Sequence, residues 1–237
     1  MLSDCAGNQP VDASAIAYLI SLHNRCRFCA VLHESSLHSS GHGGAATAIR
    51  TRAFDSINPA GLKEAVLWSC TGFGRPKPDW VAAAYTTHFT NRVANAVALP
   101  APPGLAPKPL RRWMAHRTAG ASLLRPAANP VLPAGLAAVV AHRVHTHVSA
   151  WRGEDPGPNR GWVENYLADL SLPDRAAARL ALLTALASHQ VDHLVREAFC
   201  HAAPDSLDIL SVIRWGASLG ARRAIDSLQS GVVIAAA

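Results

Sequence analysis

Residues 23–33 read His23-Asn24-Arg25-Cys26-Arg27-Phe28-Cys29-Ala30-Val31-Leu32-His33, with two residues between the cysteines and a histidine four positions after the second. A helix that begins at Cys26, with Asn24 as its N-cap, would place Cys29 and His33 on one face. The positive end of that helix favours a thiolate, and an imidazole one turn later can accept or return a proton. The spacing therefore predicts a reactive dithiol with its own base.

Helical periodicity continues on both sides of this stretch. Residues 12–23 carry apolar side chains at helical spacing, and the dithiol helix is expected to run to about Ser40, before the glycine-rich residues 41–44. Further helices are predicted over residues 45–54, 59–73, 80–99, 134–151, 161–170, from 174 onward, and 205–228. Because no stretch shows the sustained alternation of a strand, the sequence predicts an all-α fold.

A proline-rich segment divides the chain. Five prolines lie between residues 100 and 109 and make a stiff connection. We therefore predict a core over residues 1–99, a proline-rich connection over 100–133 and a second helical unit over 134–237. Residues 15–41 and 178–204 share a helix–turn–helix plan, which suggests a degenerate repeat. Aligned at the turn, Val191 matches Cys26 and Leu194 matches Cys29.

Composition disfavours several classes of protein. The formal net charge of the 237 residues is +6, but no basic stripe carries interleaved aromatic residues, so no nucleic-acid partner is expected. No apolar run is long enough to span a bilayer, and residues 1–5 lack the pattern of a signal peptide. Five cysteines, an odd number, do not suggest a disulfide framework. We expect a cytoplasmic protein, in which a CxxC is redox-active or metal-bound.

The dithiol stretch resembles the core motif of the AhpD-like alkylhydroperoxidase and carboxymuconolactone decarboxylase superfamily. The likeness covers residues 12–44, and residues 215–223 resemble the closing helix of longer, two-repeat members. The resemblance implies an all-α bundle that often assembles into homo-oligomers. It also implies antioxidant activity as a thiol-dependent peroxidase or disulfide oxidoreductase, with no cofactor.

The resemblance also implies roles for the three motif residues. In that family the cysteine matching Cys29 attacks the hydroperoxide, and the cysteine matching Cys26 resolves the sulfenic acid into a disulfide. The histidine matching His33 relays protons. An external dithiol protein or a small thiol would then reduce the disulfide.

One position departs from the family pattern. Members with the full relay carry a glutamate twelve residues before the first cysteine, where this chain has Ser14. Asp12 and Glu34 are the nearest acids, and helical geometry turns both away from the predicted line between Cys29 and His33.

The dipole and the motif favour different nucleophiles. The helix dipole and the flanking arginines at positions 25 and 27 favour Cys26 as the thiolate. Pairing with His33 favours Cys29. We follow the family in assigning the attack to Cys29 and expect Cys26 to be the more exposed thiol.

Other interpretations compete with the peroxidase. A non-catalytic binding or assembly protein could keep the fold without the relay, and the serine at position 14 favours it. A zinc site could use Cys26, Cys29 and His33 with either His38 or His42. A lactone decarboxylase is disfavoured by the intact CxxC.

Two further histidine groups are interpreted structurally. His142, His145 and His147 are expected on a solvated or interface face, and His189 with His193 is expected to form a hydrogen-bonded pair.

Overall fold

The computed structural model describes residues 10–99, 126–127, 131–147, 159–202 and 207–230. Within these ranges the secondary structure is entirely helical, which confirms the all-α prediction. The α-helices of these ranges are α1 (Val11–His23), α2 (Arg27–Ser39), α3 (Gly43–Arg50), α4 (Ala60–Thr71), α5 (Pro78–Ala96), α6 (Ala134–Thr146), α7 (Gly161–Glu164), α8 (Leu172–Leu186), α9 (His193–Ala202) and α10 (Ile209–Gln229). Short 3-10 turns cover Phe54–Ser56 and Ser188–Gln190.

The start of the dithiol helix differs from the prediction. Helix α2 begins at Arg27, and Cys26 itself is its N-cap. Asn24 is instead the C-cap of α1, so its predicted role as N-cap of the dithiol helix is wrong. The reason is that α1 and α2 are joined by only three residues, so that the end of one helix leads directly into the cap of the next.

Four helices in the described ranges end in the same left-handed motif. The backbone φ at the residue after the C-cap is +53° at Arg25, +83° at Gly41, +58° at Arg52 and +57° at Ala98. In each case that residue donates its N–H to the carbonyl three residues back, and the next residue donates to the carbonyl five residues back. Three of the four positions are not glycine, although a left-handed residue with a side chain costs about 1–2 kcal/mol. Surrounding contacts therefore hold these ends in place.

Helix α5 lies between the two halves of the apolar interior. Its Phe89 and Val93 belong to the large cluster formed with α6, α8, α9 and α10. Its Trp80 and Ala84 belong to a smaller cluster that includes α1 and α4. Both faces of α5 are consequently buried along much of its length.

Helix α10 approaches α8 closely because it presents glycine at two positions one turn apart. A Cβ at Gly216 would come to 2.7 Å from the carbonyl oxygen of Ala181, and one at Gly220 would collide with the carbonyl of Ala185. The same Cβ at Gly220 would lie 2.5 Å from Nε of Arg92 on α5. These glycines let three helices meet around one buried arginine.

Most of the predicted connection over 100–133 lies outside the described residues, as do the predicted ends of the chain at 1–9 and 231–237. The predicted helix over 134–151 is present to Thr146, and residues 148–158 are not described. Among the described helices, none combines the length and apolar character needed to cross a bilayer.

Candidate functional site

The predicted dithiol lies at the corner between α1 and α2. The left-handed Arg25 reverses the chain, and the N–H of Cys26 donates to the carbonyl of Ser21 at 2.9 Å, which closes α1. The Sγ of Cys26 then accepts the N–H of Cys29 at 3.3 Å, which caps α2. Cys26 is therefore held from both sides, as the closing residue of one helix and the cap of the next.

Both thiols of this corner are free and buried. The exposed fraction is 1% for Cys26 and 5% for Cys29, so the expectation that Cys26 is the more exposed thiol is wrong. The two cysteines pack against Ala94 of α5, with the half-buried Phe28 alongside. The dithiol consequently lies in a largely apolar environment beneath the corner.

The two thiols have opposite electrostatic tendencies. The hydrogen bond from the Cys29 side chain lowers the pKa of Cys26, and the N–H groups of Cys29 and Phe28 lower it further against the effect of burial. Burial raises the pKa of Cys29 well above its usual value, and the hydrogen bond to Cys26 and the charge on Cys26 add to this. Of the two thiols, Cys26 is therefore the one that ionises more readily.

His33 lies in α2, four residues after Cys29, and is half-buried. The one-turn spacing predicted from the sequence is therefore present in the helix. This places an imidazole on the helix that Cys26 caps.

Asp12 and Glu34, the two acids nearest the motif, are both bound to other side chains and do not supply a proton relay for the dithiol. The carboxylate of Asp12 accepts the indole N–H of Trp80 at 2.8 Å. The carboxylate of Glu34 pairs with Arg50 at 3.3 Å and accepts the hydroxyl of Tyr18, whose pKa is raised by burial and by the charge of Glu34. Each acid has a structural partner of its own.

The residue at the family's acid position is also engaged. Ser14 is buried, and its Oγ lies 3.3 Å from Oγ of Ser36, so that it links α1 to α2. This contact joins the two helices of the corner without supplying a base.

A polar stripe on α5 supports the corner, and sequence analysis did not find it. The stripe consists of His88, Asn91, Arg92 and Asn95. Three of these are almost completely buried, with exposed fractions of 4%, 0% and 4% for His88, Asn91 and Arg92. Their spacing follows one face of a helix, so a polar stripe within an apolar helix was the available signal.

The stripe holds Asn24 through two contacts. Nδ2 of Asn95 donates to the backbone carbonyl of Asn24 at 2.9 Å, and Nδ2 of Asn24 lies 3.2 Å from Nδ1 of His88. Nη1 of Arg92 lies 3.1 Å from the same Nδ1. Because amide and guanidinium nitrogens only donate, Nδ1 of His88 must be the unprotonated acceptor, and the imidazole is neutral. Burial and the charge of Arg92 hold the pKa of His88 well below its usual value, in agreement.

The same stripe reaches the turn that follows α8. Nε of Arg92 donates to the carbonyl of Ala185 at 2.9 Å, and Nδ2 of Asn95 donates to Oγ of Ser188 at 3.1 Å. Burial lowers the pKa of Arg92 to about 9, so its charge persists at neutral pH. The two halves of the molecule therefore meet through buried polar contacts as well as apolar ones.

The proposed zinc ligands are not brought together. Across the part of the chain that the structure describes, no group of three or more His, Cys, Asp or Glu side chains is placed to hold a metal ion. His38 is exposed, and Nδ1 of His42 contacts the carbonyl of Ser40 at 2.9 Å.

The prediction of a solvated face for the other histidine group holds for two of its three members. His142 and His145 are exposed, as expected for a solvated face. His147 is buried, and its Nδ1 lies 2.8 Å from the hydroxyl of Tyr166. His193 is exposed, and the predicted pairing of it with His189 stays a prediction.

Comparison with known proteins adds no assignment to this geometry. No protein-family model, curated protein or solved structure matches the chain. The function is therefore argued from the chemistry of the corner itself.

Proposed function

We propose that this protein is a thiol-dependent peroxidase or disulfide oxidoreductase in which Cys26 and Cys29 cycle between a dithiol and a disulfide, as in the AhpD-like superfamily it resembles. The observation that carries the proposal is the capping of α2 by Cys26. A sulfur that accepts the N–H and the thiol of Cys29 is stabilised as a thiolate, the form that attacks peroxides.

The first step would take place at Cys26. Its thiolate attacks the distal oxygen of the hydroperoxide, an S–O bond forms, the O–O bond breaks, and an alkoxide leaves. His33 returns to the alkoxide the proton that Cys26 released on ionising. The peroxide is reduced by two electrons to an alcohol, and Cys26 becomes a sulfenic acid.

The second step would form the disulfide. Oxidation removes the negative charge of Cys26, which is one of the causes that raise the pKa of Cys29. Cys29 then attacks the Cys26 sulfur, the S–O bond breaks, and hydroxide leaves with the proton of Cys29 as water. A dithiol protein or a small thiol reduces the disulfide, so the proposal requires no cofactor and suits a reducing cytoplasm.

This order reverses the roles that the family resemblance implies. There the residue matching Cys29 attacks and the residue matching Cys26 resolves, but in this corner Cys29 is the thiol that burial keeps protonated. Because the sulfur of Cys26 is buried, this proposal requires the turn at residues 24–27 to open for the hydroperoxide to reach it.

A non-catalytic assembly protein is the second candidate. The burial of both thiols and the engagement of Asp12 and Glu34 with other partners favour it. In that case Cys26 would serve only as a helix cap. The chain would share the fold of the two-repeat members and would assemble into a homo-oligomer without redox activity.

The proposal is tested by thiol titration before and after one equivalent of an organic hydroperoxide. The wild type is compared with Cys26→Ser and Cys29→Ser, with the exposed Cys200→Ser as the matched control. We expect the wild type and the control to lose two thiols rapidly. Cys26→Ser should lose none rapidly, and Cys29→Ser should lose one thiol and bind a sulfenic-acid reagent.

Two results of the thiol titration would contradict the proposal. If Cys29→Ser is inert and Cys26→Ser is labelled by the sulfenic-acid reagent, the attack belongs to Cys29 and our order of steps is wrong. If the wild-type thiols persist for hours, the peroxidase proposal fails and the assembly protein becomes the better interpretation.

A further inference from the structure

The side-chain amide of Asn95 joins two turns that are far apart in the chain. Its Nδ2 donates to the backbone carbonyl of Asn24 at 2.9 Å and to Oγ of Ser188 at 3.1 Å. An amide nitrogen has two hydrogens, so both contacts can be made at once. Asn95 thus has hydrogen bonds both to the turn before Cys26 and to the turn after α8.

The contact with Asn24 bears directly on the placement of Cys26. The carbonyl of Asn24 belongs to the planar peptide group that also contains the nitrogen of Arg25. Arg25 has a φ of +53°, a left-handed conformation that costs a residue with a side chain about 1–2 kcal/mol. A rotation of that peptide group would relax Arg25 and carry Cys26 away from the N–H of Cys29.

Asn24 has little freedom to move independently. Its side chain is held at 3.2 Å by His88, two helical turns before Asn95 on the same stripe of α5. The N–H of Cys26 is held by the carbonyl of Ser21. The corner is therefore fixed to α5 and α1 at three points, and the Asn95 contact is the one that lies on the peptide group next to the strained residue.

We propose that Asn95 is a positioning residue for the dithiol, and that through it the turn following α8 controls the geometry of Cys26. Asn95 has no contact with the sulfurs among its described hydrogen bonds, so its influence passes through Asn24 and Arg25. The consequence for peroxide reduction rests on the proposed function. The positioning of Cys26 does not.

The test measures thiolate absorbance against pH in the reduced protein, without peroxide, in a background where Cys5, Cys70 and Cys200 are serine. Asn95→Asp keeps the shape of the side chain but removes both N–H donors and adds a negative charge, whereas Asn95→Leu removes the donors without adding a charge. We expect about tenfold less Cys26 thiolate at neutral pH in both variants, which corresponds to the loss of about one hydrogen bond. Thr86→Ala, an exposed change on the same helix, should match the background protein.

Ser188→Ala tests the link to the second turn. It should change the thiolate fraction in the same direction by about twofold to threefold, since one of the two contacts that orient Asn95 is lost. Combined with Asn95→Ala it should add nothing to the effect of Asn95→Ala alone.

Three results would overturn the proposal. Asn95→Asp could lower the melting temperature with an unchanged thiolate titration, which would make Asn95 a purely structural residue. Ser188→Ala could leave the titration unchanged while Asn95→Asp shifts it, which would exclude control from the turn after α8. If Asn95→Asp does not fold, an unchanged titration in Ser188→Ala decides against the proposal. If the variants shift the thiolate titration as expected but the wild-type protein does not react with peroxide, only the proposed function is contradicted.

Discussion

The corner between α1 and α2 and the corner between α8 and α9 are capped in the same way by different chemistry. In the first, Sγ of Cys26 accepts the N–H of Cys29 at 3.3 Å. In the second, Oδ1 of Asp192 accepts the N–H of Val195 at 3.0 Å, also three residues on, and the same carboxylate pairs with Arg160 at 2.5 Å. Asp192 is a strong cap whose carboxylate is charged throughout the neutral range, whereas the sulfur of Cys26 is a weaker hydrogen-bond acceptor and therefore a weaker cap.

The comparison also changes the register of the predicted repeat. Alignment at the turn paired Val191 with Cys26 and Leu194 with Cys29. Matching the two N-caps moves the register by one residue and places Val195 opposite Cys29. Val195 is 4% exposed and Leu194 is 53% exposed, so the shifted register pairs a buried residue with a buried one. The duplication itself stays a prediction.

The largest expected effect concerns the close packing of α10 against the end of α8 and Arg92 of α5. Gly220→Ala would push a methyl group into the carbonyl of Ala185 and to 2.5 Å from Nε of Arg92, where backbone cannot give way cheaply. We expect the free energy of unfolding to fall by about 3 kcal/mol, measured by chemical denaturation.

Gly44→Ala is the matched control for that change, because a Cβ there meets nothing within 4 Å. It should leave the free energy of unfolding unchanged or raise it by up to about 1 kcal/mol. If Gly220→Ala is as stable as the control, α8 and α10 are not packed as closely as described.

The second effect is the pH dependence of the free energy of unfolding that the neutral His88, in contact with Asn24 and Arg92, should produce. His88 faces Arg92 on its own helix and His23 on α1, and its pKa is held well below its usual value by burial and by those charges. The unfolded chain therefore binds a proton that the folded chain does not. The free energy of unfolding should fall as pH drops below about 6.5, by up to about 1.4 kcal/mol per pH unit until the native pKa is reached.

His88→Gln separates this contribution from that of other groups. The glutamine oxygen can accept from Asn24 and Arg92 but does not titrate, so the slope in this pH range should decrease. Because burial also lowers the pKa of His147, a smaller slope should persist in the variant. An identical slope in the two proteins would show that His88 does not carry the effect.

The smallest effect compares the two caps directly. Asp192→Ala removes the oxygen that caps α9 and should lower the free energy of unfolding by about 1 kcal/mol, with little added by the exposed pair with Arg160. Cys26→Ser replaces the sulfur by a better capping group and should change the free energy of unfolding by less than about 0.5 kcal/mol. A loss in Cys26→Ser as large as that in Asp192→Ala would mean that the sulfur of Cys26 stabilises its corner better than a serine hydroxyl does.

Sequence periodicity was sufficient for the all-α fold and for the order of most helices. It placed the end of α1 at His23 and recognised the stop at Gly41, because glycine is the residue that adopts a left-handed conformation without cost. It failed at Arg52, where a residue with a side chain adopts the same conformation and ends α3 at Arg50 rather than at residue 54.

The sequence alone also determined the spacing of the candidate site, since CxxC and a histidine four residues later follow from the chain itself. Tertiary structure decided the surroundings of the two thiols, because Cys26 caps α2 directly after the left-handed Arg25, and Asn95, which lies 69 positions further along the chain than Cys26, donates to the carbonyl of Asn24 in the same turn. Periodicity reports which residues share a face of one helix. It does not report which side-chain amide on another helix donates to a given carbonyl, and that contact is made only when the helices pack.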